Sequence, residues 1–161
     1  MKKLFFLFLS SSMIFASCKK DKGCTVAAPT TSATAAETAY LQTYLTANAV
    51  SAVSTHGMFY NITNPGSGTS PNLCSSISVN YTGLFINGTS DGSQFDATTG
   101  TPVSLSLSQL IEGWQLILPL LKTGGTVVLY IPPSLGYGSQ ARPGLPANSY
   151  LKFTITLVSV G

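Results

Sequence analysis

The sequence predicts an α+β unit in which several strands wrap against one main helix, and three observations carry that reading. Ile77, Val79 and Tyr81 alternate with polar or small residues, and so do Leu151, Phe153, Ile155 and Leu157, the period of a half-buried strand. Between them, Leu110, Ile111, Trp114, Ile117, Leu118 and Leu121 recur at helical spacing. Gly124-Gly125 then turns the chain into a further strand at 126–131, and such strands packed on one helix bury enough apolar surface for a single domain.

The elements follow in chain order. Lys2 and Lys3 precede an apolar run, and the small residues Ala16 and Ser17 stand just before Cys18. This is the pattern of a secretory signal. It is too short and too interrupted by serine for a membrane span of about 20 residues. Phe15-Ala16-Ser17-Cys18 resembles the lipobox of bacterial lipoproteins. That resemblance implies that Cys18 becomes the acylated first residue of a lipid-tethered mature chain; the alternative is an ordinary signal peptide with an incidental cysteine. Residues 18–35 are rich in Thr, Ala and Ser and form a linker from anchor to domain.

Tyr40, Leu41, Tyr44 and Leu45 recur at spacings of three and four, predicting an amphipathic helix over 36–53 that Gly57 stops. Packing on its own domain is its expected use. A short strand at 58–62 and a turn at 64–68 complete an N-terminal extension, residues 36–75, ahead of the main unit, residues 76–161. Pro119 falls inside the main helical stripe, so that helix ends or kinks near Leu118.

If Cys18 carries lipid, Cys24 and Cys74 are left as an even pair in an oxidising compartment. A Cys24–Cys74 disulfide is predicted, the alternative being two free buried thiols. Closing a loop of about 50 residues stabilises by roughly 3–4 kcal/mol through chain entropy. A metal site is disfavoured, because His56 is the single histidine and no Cys-x-x-Cys spacing exists. His56, beside Gly57, suits a surface turn.

Charge narrows the partners. From Cys18 onward six basic residues face five acidic ones, a net charge of +1. The only basic cluster is Lys19, Lys20 and Lys22, so a nucleic-acid footprint is absent. Those lysines suit either a membrane surface or a merely solvated leader.

Five ordered blocks carry the functional signal: Val-Asn-Tyr-Thr-Gly at 79–83, Gln-Phe-Asp at 94–96, Gln-Leu-Ile-Glu-Gly-Trp at 109–114, Ile-Pro-Pro-Ser-Leu-Gly-Tyr-Gly at 131–138, and Leu-Lys-Phe at 151–153. Together they resemble the FKBP-type peptidyl-prolyl cis-trans isomerases, including the bacterial extracytoplasmic branch typified by the macrophage infectivity potentiator. The resemblance implies an antiparallel twisted sheet wrapped around one main helix, preceded here by a short helical extension. It implies a proline pocket with Trp114 as its floor, Phe95, Phe153 and Ile111 as walls, and Tyr81 and Asp96 as its polar side. The Tyr137 hydroxyl and the Ile111 N–H would reach substrate carbonyls, and Leu110, Leu145, Leu105 and Arg142 would complete the binding surface.

No nucleophile is needed for such chemistry, and no cofactor is implied. Rotation about an X–Pro bond is slow because amide resonance must be broken. A dry apolar site that favours the twisted amide lowers that barrier without moving a proton. Asp96 therefore takes an electrostatic and hydrogen-bonding role, the alternative being an acid that only ties Tyr81 or a loop in place.

Some residues depart from the family pattern. Leu110 is bulkier than the usual valine, Leu105 or Val103 stands where an aromatic is common, and Ala147 replaces a frequent proline in the loop following Arg142. These changes are expected to alter substrate preference or affinity for the macrolides that bind this family. The Asn87-Gly88 and Asp91-Gly92 pairs are expected to be turns. The leading expectation is a lipid-anchored, extracytoplasmic isomerase acting on proline-containing exported polypeptides. A catalytically weak binding module or chaperone of the same fold, or an anchored structural or adhesive domain, are the competing readings.

Overall fold

The computed structural model describes residues 23–161; Cys18, the leader before it and the lysine cluster after it lie outside the described residues. Seven strands form one antiparallel sheet: β1 (Val53–Thr55), β2 (Met58–Asn64), β3 (Ser76–Asn87), β4 (Ser90–Ala97), β5 (Val103–Ser106), β6 (Thr126–Ile131) and β7 (Leu151–Val160). Their order is β1-β2-β6-β7-β3-β4, with β5 also paired to β3. β3 is long enough to take β5 along its first half, at Ser76 to Val79, and β4 along its second, at Thr82 to Asn87. Helix α1 (Ala35–Ala47) precedes the sheet, and helix α2 (Glu112–Ile117) lies between β5 and β6.

Strand alternation sends successive side chains to opposite faces of the sheet. One set, including Ile77, Val79, Val127, Leu129, Ile131, Leu151, Phe153, Ile155 and Leu157, meets Trp114, Ile117 and Leu118 in the main core. The other, with Phe59, Ile86 and Tyr130, meets Leu41, Tyr44 and Leu45 of α1. The N-terminal helix thus covers the back of the same sheet whose front holds α2. Behind the sheet, the Tyr44 hydroxyl donates to Asp91 at 2.5 Å, and Lys152 pairs with Asp91 at 2.8 Å.

Local chemistry explains the boundaries. Thr34 caps α1 in a reciprocal capping box with Glu37. The helix ends at Ala47, not at 53 as periodicity predicted. Asn48 closes it, its side-chain amide donating to Tyr44 O at 2.8 Å and Thr89 O at 2.9 Å, and Ala49 adopts φ 52°. Val53, expected to end the helix, opens strand β1 instead, and β1 joins β2 through His56 and Gly57 at φ 49° and 77°. Two successive positive φ values suit a tight hairpin turn.

α2 stops at Ile117 and passes into a 3₁₀ turn over Leu118–Leu120 that accommodates Pro119, as the proline predicts. Asn87 and Ser90 close the β3–β4 hairpin, with Gly88 at φ 63°. Asp91 and Gly92, expected in a turn, instead lie inside β4, where Asp91 is held by Tyr44 and Lys152 across the sheet. The Cys24–Cys74 disulfide is present, with Cα atoms 5.5 Å apart, and closes a sequence separation of 50. It ties the start of the described chain to the approach to β3.

Candidate active site

On the α2 side of the sheet a cavity of about 190 Å³ is lined by Tyr81, Asp96, Leu105, Leu110, Ile111, Trp114, Tyr137 and Phe153. Five elements and one loop supply these residues: β3, β4, β5, the segment entering α2 with its first turn, β7, and the stretch between β6 and β7. Trp114 is 4% exposed and Phe153 2%. The indole meets Tyr81 and Phe153 edge to face, with centroids 5.3 Å and 5.2 Å apart, a favoured aromatic geometry.

Two glycines let this cluster close. Gly83 pairs with Phe153 across β3 and β7, and a Cβ there would stand 2.7 Å from Phe95 Cζ and 2.9 Å from Phe153 Cε1. Only a residue without a side chain fits beneath the two rings. Gly113 lets α2 settle on the end of β6, where a Cβ would fall 2.9 Å from Ile131 Cδ1. The Gln115 amide donates to Leu110 O at 2.7 Å and Ser108 O at 3.3 Å, fastening the segment that presents Leu110 and Ile111.

A β-bulge builds the polar side. Gly83 pairs with Asp96 while Leu84 pairs with Gln94, so Phe95 has no partner of its own. In a regular strand Phe95 and Asp96 would point to opposite faces. The bulge re-aims them: Phe95 meets Phe153 with centroids 5.5 Å apart, and Asp96 accepts from the Tyr81 hydroxyl at 2.6 Å. Burial, then this hydrogen bond and the charge of Asp96, push the Tyr81 hydroxyl well above its usual range. It stays protonated and donating. Burial also raises the Tyr137 hydroxyl, with Asp96 adding and Arg142 opposing, so a second phenolic donor stands at the cavity.

Ile111 caps α2 with extended backbone at φ −60° and ψ 148°. Its carbonyl accepts from Trp114 and Gln115, while its N–H donates to no backbone carbonyl among the described residues. The Trp114 Nε1 and the Glu112 Oε2 are buried without hydrogen-bond partners among the described residues.

The residues singled out from sequence fall into two groups. Tyr81, Asp96, Leu105, Leu110, Ile111, Trp114, Tyr137 and Phe153 share the cavity surface. Phe95, Leu145 and Arg142 stand off it. Phe95 backs Phe153 and stacks near Phe85. Arg142 lies 4.9 Å over the Tyr137 ring, and a backbone bridge links it to the buried Leu145. Sequence reasoning missed the spacing role of Gly83, whose signal was a glycine inside a strand, and the contacts of Glu37 and Asp91, which carry no local signal.

The comparisons with known proteins agree with this geometry. Residues 68–158 match the FKBP-type peptidyl-prolyl cis-trans isomerase family. The chain is 39% identical over 109 residues to the FKBP-type peptidyl-prolyl cis-trans isomerase FkpA of Escherichia coli K12, covering 66% of this chain and 39% of that protein. It is 39% identical over 106 residues to the peptidyl-prolyl cis-trans isomerase Mip of Coxiella burnetii, covering 65% and 45%. The chain therefore spans less than half the length of these curated relatives. Among solved structures, Escherichia coli FkpA superposes with a TM-score of 0.63 at 31% identity, covering 77% of this chain and 62% of that one. A peptidyl-prolyl cis-trans isomerase from Pseudomonas syringae pv. tomato superposes with a TM-score of 0.65 at 25% identity, covering 83% and 99%. A seven-stranded antiparallel sheet packs on α2 with an aromatic cavity between them. The chain belongs to the FKBP-type peptidyl-prolyl cis-trans isomerase family.

Proposed function

We propose that this protein is a peptidyl-prolyl cis-trans isomerase that accelerates X–Pro rotation in exported polypeptides, held at a membrane by lipid on Cys18. The observation that carries the activity is the cavity itself: a tryptophan floor, an aromatic wall and two protonated tyrosine hydroxyls, with the Tyr81–Asp96 pair at one side. The prolyl ring lies on Trp114 against Phe153 and Ile111, with Phe95 supporting Phe153 from behind. Around it, the apolar lining removes water from the prolyl carbonyl, which weakens the planar, charge-separated amide. The Tyr137 hydroxyl and the Ile111 N–H hold substrate carbonyls, and Asp96 orients Tyr81 while facing the twisted amide. Contacts made better to the twisted amide than to the planar one lower the barrier, and about 1.4 kcal/mol is worth tenfold in rate. Phe95, Leu145 and Arg142 shape the rim through Phe153 and Tyr137.

The disulfide supports export, since such bonds persist in oxidising compartments, and the leader with its lipobox supports the anchor. Among the described residues no helix is long and apolar enough to cross a membrane. Family macrolides are expected to occupy the same cavity, with affinity altered by Leu110 and Leu105.

A titration with a short X–Pro peptide tests the reading directly, because Trp114 is the only tryptophan. A fluorescence change accompanied by faster cis-trans exchange supports the isomerase. Binding without acceleration leaves a module or chaperone of the same fold, and no response removes the site.

A further inference from the structure

Residues 132–150 carry Tyr137 to the cavity, leaving the sheet at Ile131 and rejoining it at Leu151. The stretch holds itself together by short-range bonds, such as Gly138 N–H to Pro133 O at 2.9 Å and Asn148 N–H to Gly138 O at 3.0 Å. Both of its stems are gripped from outside by α1. Pro132 and Pro133 have no backbone N–H, so Ser134 supplies the first donor after Ile131. Glu37 Oε1 accepts that N–H at 2.9 Å. One turn further along α1, Tyr40 stacks on Tyr150 of the returning stem, with centroids 3.9 Å apart and planes at 20°. The Tyr40 hydroxyl is itself fixed, accepting from Gly88 N–H at 2.7 Å and donating to Ile86 O at 3.4 Å.

Positions 37 and 40 share one helix face, so a single turn of α1 reaches both stems. The other Glu37 oxygen, Oε2, accepts from the Thr34 N–H and hydroxyl, each at 2.9 Å, leaving Oε1 for the loop. Burial disfavours the Glu37 carboxylate, but the hydrogen bonds from Thr34 and Ser134 outweigh it and hold its pKa below the usual range. The acceptor is therefore charged at neutral pH.

We propose that Glu37 is a positioning residue for the isomerisation site: by holding the Ser134 N–H it sets where the loop presents Tyr137, with Tyr40 fixing the returning stem. The inference rests on the proposed isomerase activity. It gives the N-terminal helix a task in the reaction, executed from the back of the sheet.

The test compares three variants of the full chain in prolyl isomerisation, peptide affinity and amide exchange. Glu37→Ala is expected to lower kcat/KM by about three- to tenfold, mostly through weaker peptide binding, and to speed exchange of the Ser134 amide. Glu37→Gln keeps an acceptor and restores kcat/KM to within about twofold of wild type. Thr34→Ala loses the helix cap yet leaves Oε1 in place, so it lowers Tm without changing kcat/KM or peptide affinity. Equal kinetic losses in Glu37→Ala and Thr34→Ala would reduce the contact to general stability and overturn the proposal, as would unchanged kinetics in Glu37→Ala. If the wild-type chain binds peptide but does not accelerate rotation, the proposed activity falls instead. Peptide affinity and Ser134 exchange in the same variants then decide the positioning role.

Discussion

Tyr81 on β3 donates its hydroxyl to Asp96 on β4 across 2.6 Å, and the pair meets only because the bulge at Phe95 turns Asp96 toward the α2 face. Neither residue acts alone in this arrangement. Tyr81→Phe and Asp96→Ala are each expected to slow isomerisation by about tenfold, a magnitude that matches the loss of one hydrogen bond to a charged group. The double variant should be little slower than either single one, because both remove the same interaction. Additive losses in a double-mutant cycle would show that Asp96 acts independently of Tyr81.

Gly83 sets how closely Phe95 and Phe153 approach the sheet. Gly83→Ala places a Cβ at 2.7 Å and 2.9 Å from their rings, and overpacking of this kind costs about 1–3 kcal/mol. Urea denaturation should show the loss. Peptide binding should weaken alongside it, because Phe153 can move only into the cavity or out of the core.

The indole of Trp114 provides bulk, and its buried N–H finds no partner among the described residues. Trp114→Ala should therefore destabilise by about 3–5 kcal/mol, whereas Trp114→Phe keeps an aromatic floor, leaves no orphaned donor and should cost much less. Thermal unfolding of the two variants measures the difference. Equal losses would contradict a floor held by packing.

Acid should destabilise the back of the sheet. Burial opposes the Asp91 carboxylate, but Lys152 and Tyr44 outweigh it and hold its pKa below the usual carboxylate range, and Glu37 is lowered likewise by its hydrogen bonds. A carboxylate with a depressed folded-state pKa adds stability that is fully present above its unfolded value and is lost as pH falls through the folded value. Urea midpoints should stay level from neutral pH down to about pH 5 on this ground and fall below it. Asp91→Asn should be less stable at neutral pH and show a shallower acid decline.

Reduction probes a different link. Opening Cys24–Cys74 frees a loop of 50 residues, for which chain entropy gives about 4 kcal/mol. The double variant Cys24→Ser, Cys74→Ser should melt lower yet keep its isomerase activity, since neither sulfur touches the cavity lined by Trp114 and Tyr137. Loss of activity in a variant that remains folded would show that the crosslink reaches the site.

Much of this arrangement was legible in the chain. Ile77, Val79 and Tyr81 announced β3 by alternation, and Pro119 marked the end of α2, because those signals are local. The five motif blocks contain most of the cavity lining. What could not be read depends on pairing between distant segments. Val53 falls within the expected helix but opens β1 once His56 and Gly57 fold that strand against β2. Asp91-Gly92 has the composition of a turn, yet the register of β4 against β3 draws Asp91 into a strand facing Tyr44 and Lys152. The bulge at Phe95 is likewise a property of register. The grip of Glu37 on Ser134 exists because α1 folds back over the sheet, which no local pattern reports.

The most direct test of the central claim is a protease-free isomerisation assay on a short X–Pro peptide, comparing the full chain with Trp114→Ala and Asp96→Ala, each checked for folding by circular dichroism. The account predicts that the wild-type chain accelerates exchange and that both folded variants lose most of that acceleration. A well-folded wild-type chain that leaves the exchange rate unchanged would contradict it.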